Sequence, residues 1–417
     1  MSNDKELSAI KSIQKKLLGK KLTYREIYDL MEEITNRKLS DILMTYFVAS
    51  SFKEGYSEEE LYYFTKAMVE TGKRLHFEGI VADKHSTGGV AGTRTTMIIV
   101  PIIAAAGIKI PKISSRAITS PSGTADTMEV LAKVNLTAKE VTKIIEKVGG
   151  CIAWNEYLKI APADDVIIKV EEPLSFESFD KIIISIMAKK VAIGTTHLIL
   201  DMPVGKTMKI RHFHDADKVR EKFKELARRF KIKVAFDVNE TLEPSGRGVG
   251  PALEARDVLY ILEQKPERPL KLEAKALRLA GKLLDLCFVD LKVKKSGEDE
   301  ARRILTEGLA LKKFKEIIKA QAGDDQVSSE TFKIRARTLE IQSPRFGKIK
   351  EINNYNLNIL AKILGAPADK YAGLYLLKKL DEFVDKREPI MRFYAKDRYR
   401  LKEAEVSFRN FPVYEIE

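Results

Sequence analysis

The order of apolar and polar positions divides the chain into three textures. In the first, Ile27, Leu30, Met31 and Ile34 recur at helical spacing, followed by Ile42, Met44, Phe47 and Val48. Thr23-x-x-Glu26 and Ser57-x-x-Glu60 read as capping boxes, in which a hydroxyl and a carboxylate satisfy backbone donors left open at a helix start. A small helical domain is predicted for residues 1–75.

From His76 apolar runs alternate with amphipathic stretches. Ile152–Trp154, Val166–Val170, His197–Leu200 and Val234–Val238 read as short buried strands. Thr137-x-x-Glu140 caps a helix carrying Val141, Ile144, Ile145 and Val148, closed by Gly149-Gly150. Phe179–Lys190 reads as a helix with Ile183, Ile186 and Met187 on its apolar side, and Asp215 starts another. Strands alternating with helices predict an α/β domain with a largely parallel sheet. Past Ser328 the texture changes again. Thr331–Ser343 alternates and is β-rich, Tyr355–Leu364 is helical, and Pro389–Ala395 and Ala404–Phe408 read as strands, so residues 328–417 are expected to form an α+β domain.

Composition narrows the function. With 44% apolar and 32% charged residues the chain is globular, and 417 residues exceed what one core usually serves. One Trp and 8% aromatics argue against a stacking platform for nucleic acid. The net charge of +13 is scattered among carboxylates, as in Lys218–Arg229, which fits a solvated surface that also steers anionic substrates. Cys151 and Cys287 lie far apart, so neither a disulfide scaffold nor a cysteine zinc site is expected. Met1–Lys21 is polar and the apolar run Met97–Ala106 is too short to span a membrane; a cytoplasmic enzyme is expected.

The chemistry concentrates in two loops. Lys84-His85-Ser86-Thr87-Gly88-Gly89-Val90 combines a cation, hydroxyls and adjacent glycines that let the backbone present N–H groups to an anion. It precedes the apolar helix Thr96–Ala106, whose N-terminus favours phosphate. Alone, it reads equally well as a tight turn. The second cluster, Ser114-Ser115-Arg116-Ala117-Ile118-Thr119-Ser120 followed by Ser122-Gly123-Thr124-Ala125-Asp126, tips the balance toward an anion site, because it adds hydroxyls and a guanidinium able to grip oxyanions. His212 and His214 have no Asp, Glu or Cys cluster to complete a metal site, and nothing resembles a nucleophile elbow. Asp164 and Asp165, read as standing just before a strand, are left without a role.

Taken together, Lys84–Val90 and Ser114–Glu129 resemble the paired loops of the thymidine/pyrimidine-nucleoside phosphorylase family, and within it the archaeal-type AMP phosphorylases. Ala161–Asp165, Ser185–Lys190 and Gly250–Arg256 strengthen the likeness, which covers nearly the whole chain. The resemblance implies a helical domain, joined by residues 163–193, facing an α/β domain (76–162 and 194–327) across a cleft that closes on substrate. It implies a homodimer, inorganic phosphate as co-substrate, and neither metal nor organic cofactor.

Residue by residue, the resemblance implies phosphate contacts from Lys84, Ser86, Thr96, Ser114 and Thr124. It implies nucleotide contacts from Gly89, Ser115, Arg116, Ala117, Ile118, Thr119, Ser120, Thr124, Ser185 and Lys209, with Lys189 one turn beyond Ser185 on the same helix face. His85 is a candidate to polarise the substrate. Lys209 and Arg116 are candidates to hold a 5′-phosphate. Three departures stand out. The family's proton-donating aspartate is replaced in Leu174-Ser175-Phe176-Glu177, making Glu177 the candidate acid. The arginine that holds a pyrimidine base is absent near Lys169-Val170, which counts against thymidine. The chain opens directly on the helical domain, so the resemblance implies nothing about assembly beyond a dimer. The rival readings are a pyrimidine nucleoside phosphorylase and, more distantly, a magnesium-dependent phosphoribosyltransferase.

Overall fold

The structure, a computed structural model, describes residues 2–117, 120–174 and 178–417. The chain opens with helices α1 (Ser2–Leu17), α2 (Tyr24–Thr35), α3 (Asp41–Glu54) and α4 (Glu58–Glu70). Both predicted capping boxes form: the hydroxyls of Thr23 and Ser57 accept from the N–H groups of Glu26 and Glu60, whose carboxylates accept in return.

The α/β domain begins with β1 (Ala82–Ser86), α5 (Thr96–Ala105), β2 (Ile110–Ser114), α6 (Thr124–Glu129), α7 (Ala138–Val148) and β3 (Gly150–Trp154). The chain then crosses to the helical domain as α8 (Asn155–Leu158), α9 (Pro162–Leu174) and α10 (Phe179–Ala192), where α9 packs on α2, α3 and α4 and α10 on α4. It returns through β4 (His197–Val204), α11 (Phe213–Arg229), β5 (Lys233–Glu240) and β6 (Gly248–Val249). Helices α12 (Pro251–Leu262), α13 (Leu270–Leu291), α14 (Gly297–Thr306) and α15 (Leu309–Ala320) complete the layer.

Strand β4 lies between β1 and β5, all parallel, with Ser86 opposite Asp201 and Asp201 opposite Asp237. Strand β2 pairs in parallel with β3, and a parallel bridge between Val81 and Lys109 ties the two sets together. The carboxyl ends of β1 and β2 therefore point the same way. This is where open α/β sheets place ligands, and both chemistry-bearing loops leave from these ends. Helix α5 is buried from Thr96 to Ala104, which explains its uniformly apolar sequence.

The C-terminal part comprises β7 (Arg337–Gln342), β8 (Gly347–Ile352), α16 (Asn354–Leu364), β9 (Gly373–Leu376), β10 (Phe383–Val384), β11 (Pro389–Ala395), α17 (Arg398–Phe408) and β12 (Tyr414–Ile416). It has its own core, but Ala91 and Val249 of the α/β domain are buried inside that core, and β6 joins its antiparallel sheet beside β9. The fold is thus an α/β domain with a small helical domain and a C-terminal α+β domain. Among the described residues no helix is long and apolar enough to cross a membrane.

The structure corrects several element readings. Val166–Val170 is helical, part of α9, and Asp164 and Asp165 stand in the first turn of that helix rather than before a strand. A short β-branched run cannot by itself be told from a buried helix turn. Pro162 at the start and two carboxylates in the first turn were the deciding helix signals. Ala404–Phe408 is also helical. Its alternation imitates a strand, but Asp397 caps α17 by accepting from the Arg400 N–H at 2.9 Å. Within the β-rich stretch Thr331–Ser343 the strand is Arg337–Gln342, and α11 starts at Phe213, two residues before Asp215.

Candidate active site

Loops after β1 and β2, the start of α5, and the faces of α9 and α10 enclose a cleft of about 370 Å³. Lys84, His85, Ser86, Gly89, Thr96, Ser114, Ser115, Arg116, Ser120, Thr124, Ser185, Lys189 and Lys209 all line it. Ala117 does not line it; its N–H donates to Asp126 Oδ2 at 2.6 Å. Ile118, Thr119 and Glu177 lie outside the described residues.

One wall is built to attract anions. Lys84 and Ser86 sit on the last residues of β1, and Gly88 and Gly89 continue the chain with φ of +86° and +87°, a conformation glycine adopts without penalty. A Cβ at Gly89 would come within 3.3 Å of Lys209 Cγ, so this lysine lies directly against the loop. Lys84 is buried beside Asp201, 3.7 Å away; burial pulls its ammonium down to about 8 although Asp201 opposes the shift. Asp201 is itself held below its usual range: burial would raise it, but Lys275 and Lys84 outweigh that effect.

Beneath β1 lies a second charged layer. Asp83 and Lys190 are fully buried and ion-paired at 2.5 Å, and Lys112 reaches the other Asp83 oxygen at 3.3 Å and the Lys84 carbonyl at 2.8 Å. Burial lowers both Lys112 and Lys190, with Asp83 opposing. His85 is held well below the ordinary imidazole range by burial and by the surrounding lysines. It is a neutral ring at pH 7, and its Nδ1 is buried without a hydrogen bond among the described residues. A neutral imidazole both donates and accepts, which suits a substrate contact.

The second loop is folded tightly over Gly123, where a Cβ would lie 2.5 Å from the Arg116 carbonyl carbon and 2.7 Å from the Ala117 nitrogen. Only glycine permits that approach. Arg116 lines the cleft, but its guanidinium is already engaged: Nη1 donates to Asp126 Oδ1 at 3.1 Å, Nη2 to Glu129 Oε1 at 2.5 Å, and the group lies 4.4 Å over the Trp154 ring. It fastens the loop, in contrast to the anion grip expected from sequence. Glu129 is held at about 2, chiefly by its hydrogen bonds from Arg116.

The opposite wall comes from α9 and α10. Ile168, Ile182 and Ile186 give it an apolar surface. Ser185 and Lys189 share a helix face as expected. Both donate to Asp164 Oδ2, Ser185 from 2.9 Å, which gives this carboxylate the role that sequence left open.

Sequence reasoning missed Arg94, Lys112, Glu171 and Lys181, all of which line the cleft. Arg94 pairs with buried Glu254 at 2.5 Å and donates to Ser122 O at 2.7 Å and Thr124 Oγ1 at 3.3 Å, joining the two loops. It stands alone among small residues after the glycines, and its position shortly before a helix was the available signal. His212 and His214 stack with centroids 5.6 Å apart at the start of α11, away from the cleft. Among the described residues no group of three or more His, Cys, Asp or Glu is arranged for a metal.

Comparison with known proteins agrees with this layout. Residues 78–252 match the glycosyl transferase family a/b domain, residues 10–72 the helical bundle domain of that family, and residues 348–415 the pyrimidine nucleoside phosphorylase C-terminal domain. AMP phosphorylase 1 of Archaeoglobus fulgidus is 42% identical over 95% of this chain and 78% of its own length. A protein of Methylococcus capsulatus, provisionally named a thymidine phosphorylase, is 40% identical over 92% of this chain and 73% of its own. Among solved structures, anthranilate phosphoribosyltransferase of Thermus thermophilus superposes with a TM-score of 0.59 at 18% identity, covering 75% of this chain and 99% of that one. That likeness concerns the fold, whereas identity near 40% along almost the whole chain concerns descent: the protein belongs to the glycosyl transferase family of pentosyl-transferring phosphorylases that includes the AMP and thymidine phosphorylases.

Proposed function

We propose that this protein is a nucleoside 5′-monophosphate phosphorylase, converting AMP and phosphate to adenine and ribose 1,5-bisphosphate. The observation that carries the reading is the pairing, within one cleft, of an anion wall (Lys84, Ser86, Ser114, Thr124) with an apolar wall edged by Ser185 and Lys189. The AMP phosphorylases among its relatives support it.

Phosphate held by Lys84 and the hydroxyls attacks the anomeric carbon, and the base leaves with the electrons of the glycosidic bond. Positive charge developing on the sugar is stabilised by the phosphate dianion beside it. A proton supplied by Glu177 goes to the departing base, and holding both reactants in the cleft removes much of the entropic barrier. His85, neutral and facing the cleft, donates a hydrogen bond to the substrate. Lys209, which lies against Gly89 and lines the cleft, takes the 5′-phosphate. The reaction needs neither a metal nor an organic cofactor. A cytoplasmic homodimer through the helical domain belongs to the same proposal; exposed Leu7, Leu17, Ile42 and Tyr46 on α1 and α3 offer apolar surface for it.

The test is release of free base from AMP, CMP, UMP, uridine and thymidine, with and without phosphate and in the absence of metal. Base release from AMP that disappears without phosphate supports the reading. Release from uridine or thymidine alone moves the protein to the pyrimidine branch. A requirement for magnesium without one for phosphate favours the phosphoribosyltransferase reading, which the shared fold keeps in view.

A further inference from the structure

The apolar wall of the cleft carries two ion pairs at its edges. Asp164 and Lys189 form one, closed upon Ser185. The other joins Glu171 of α9 to Lys181 of α10, with Oε1 and Nζ 3.0 Å apart and side chains only 13% and 11% exposed. Lys181 also donates to the Val48 carbonyl at 3.1 Å and lies 5.6 Å over the Phe47 ring, so its ammonium is fixed from the helical domain. Both members line the cleft, beside Ile168 and Ile182.

A carboxylate only accepts hydrogen bonds and an ammonium only donates them. Side by side, they present an acceptor next to a donor. Adenine carries the complement on one edge, an exocyclic amino group beside an unprotonated ring nitrogen. Hypoxanthine carries the reverse, a carbonyl oxygen beside a ring N–H. We propose that Glu171 and Lys181 are a specificity-determining pair that reads this edge and selects adenine over hypoxanthine, a reading that rests on the nucleotide phosphorylase function above. The isoleucines hold the face of the ring without regard to its substituents, and the pair supplies the discrimination. Hypoxanthine sets its oxygen against the carboxylate and leaves buried polar groups mismatched, which is how a hydrogen-bonding site rejects a near-isostere. Uracil, whose ring N–H stands between two carbonyls, can meet both members of the pair and is not discriminated by it.

The test compares kcat/KM for AMP against IMP, in the wild-type protein and in Glu171→Gln, with phosphate saturating. The wild-type protein is expected to favour AMP by about 30-fold or more, the scale of a hydrogen-bonding mismatch. In Glu171→Gln the amide can donate as well as accept, so the ratio falls by about tenfold. A ratio unchanged in the variant overturns the pair's role and leaves the phosphorylase reading intact. So does a wild-type preference for IMP, a result that needs no variant. Absence of phosphate-dependent base release from AMP, IMP, CMP and UMP alike overturns the phosphorylase reading and the pair's role with it.

Discussion

Asn354 of the C-terminal domain grips Gly89 across the domain boundary: its side-chain Nδ2 donates to the Gly89 carbonyl at 2.6 Å, while its Oδ1 accepts from the Ala91 N–H at 2.8 Å. Asn354 is 1% exposed, and the loop it holds carries Lys84–Val90. Asn354→Ala removes both contacts. It is expected to raise KM for phosphate about tenfold with a smaller change in kcat, since two hydrogen bonds of about 1 kcal/mol each are lost and part of that appears as loop disorder. Steady-state rates at varied phosphate, with a melting curve to show the fold intact, check this. An unchanged phosphate KM would mean the loop is ordered without its clamp.

Lys84 sets an alkaline limit. With its ammonium near 8 in the free protein, kcat/KM for phosphate should decline above about pH 8 as the charge is lost. The kcat profile should stay level to higher pH, because bound dianion favours the protonated lysine. Unfolding driven by this group does not mimic the effect. Its folded-state value lies below the unfolded 10.5, so between about 8 and 10.5 the unfolded chain holds more protons and the Lys84 contribution to stability rises with pH. Parallel pH profiles of kcat and kcat/KM decide the matter.

Asp164 compensates Lys189 in a site where the two side chains are 3% and 7% exposed. Asp164→Ala removes the direct partner of that buried lysine, leaves it Asp165 in electrostatic reach, and is expected to cost about 3 kcal/mol in urea unfolding. Adding Lys189→Met should recover much of the stability but none of the activity. If the single variant unfolds like the wild type, Asp165 has taken over the pairing with the lysine.

Lys209 lies against Gly89, on the anion side of the cleft. Lys209→Ala should lower kcat/KM for AMP about 30-fold and for adenosine less than about threefold, the difference being a charge-assisted contact worth roughly 1.5–3 kcal/mol. Equal losses on both substrates would remove Lys209 from the 5′-phosphate site.

Local chemistry was legible in the sequence where cause and effect lie close together. The boxes at Thr23–Glu26 and Ser57–Glu60 act within a single helix turn, and the Ser185–Lys189 pair needs only helical spacing. The two loops showed themselves through residue types that few other structures require. What stayed hidden was decided by partners distant along the chain. Arg116 looked like an anion grip because Glu129 and Trp154 meet it only after the chain has folded back. Asn354 is one polar residue at the start of a helix, and nothing near it in sequence points to Gly89. Val166–Val170 reads as a strand because a run of β-branched residues broken only by Lys169 is too short to show helical periodicity.

The cluster fastening the second loop adds Lys370 to Arg116, Asp126 and Glu129, with Lys370 Nζ 3.1 Å from Asp126 and 2.9 Å from Glu129. Two cations face two carboxylates, so the cluster has no net charge, and its potential dies away faster with distance than that of a lone ion. To an approaching anion it is electrically silent. The long-range pull falls to the lysines around Asp83 and Asp201, where cations outnumber carboxylates. The second loop is therefore held by a latch while lysines gathered from several elements around β1 form a lure, and dissolved salt should slow capture of phosphate through the lure while leaving the latch shut.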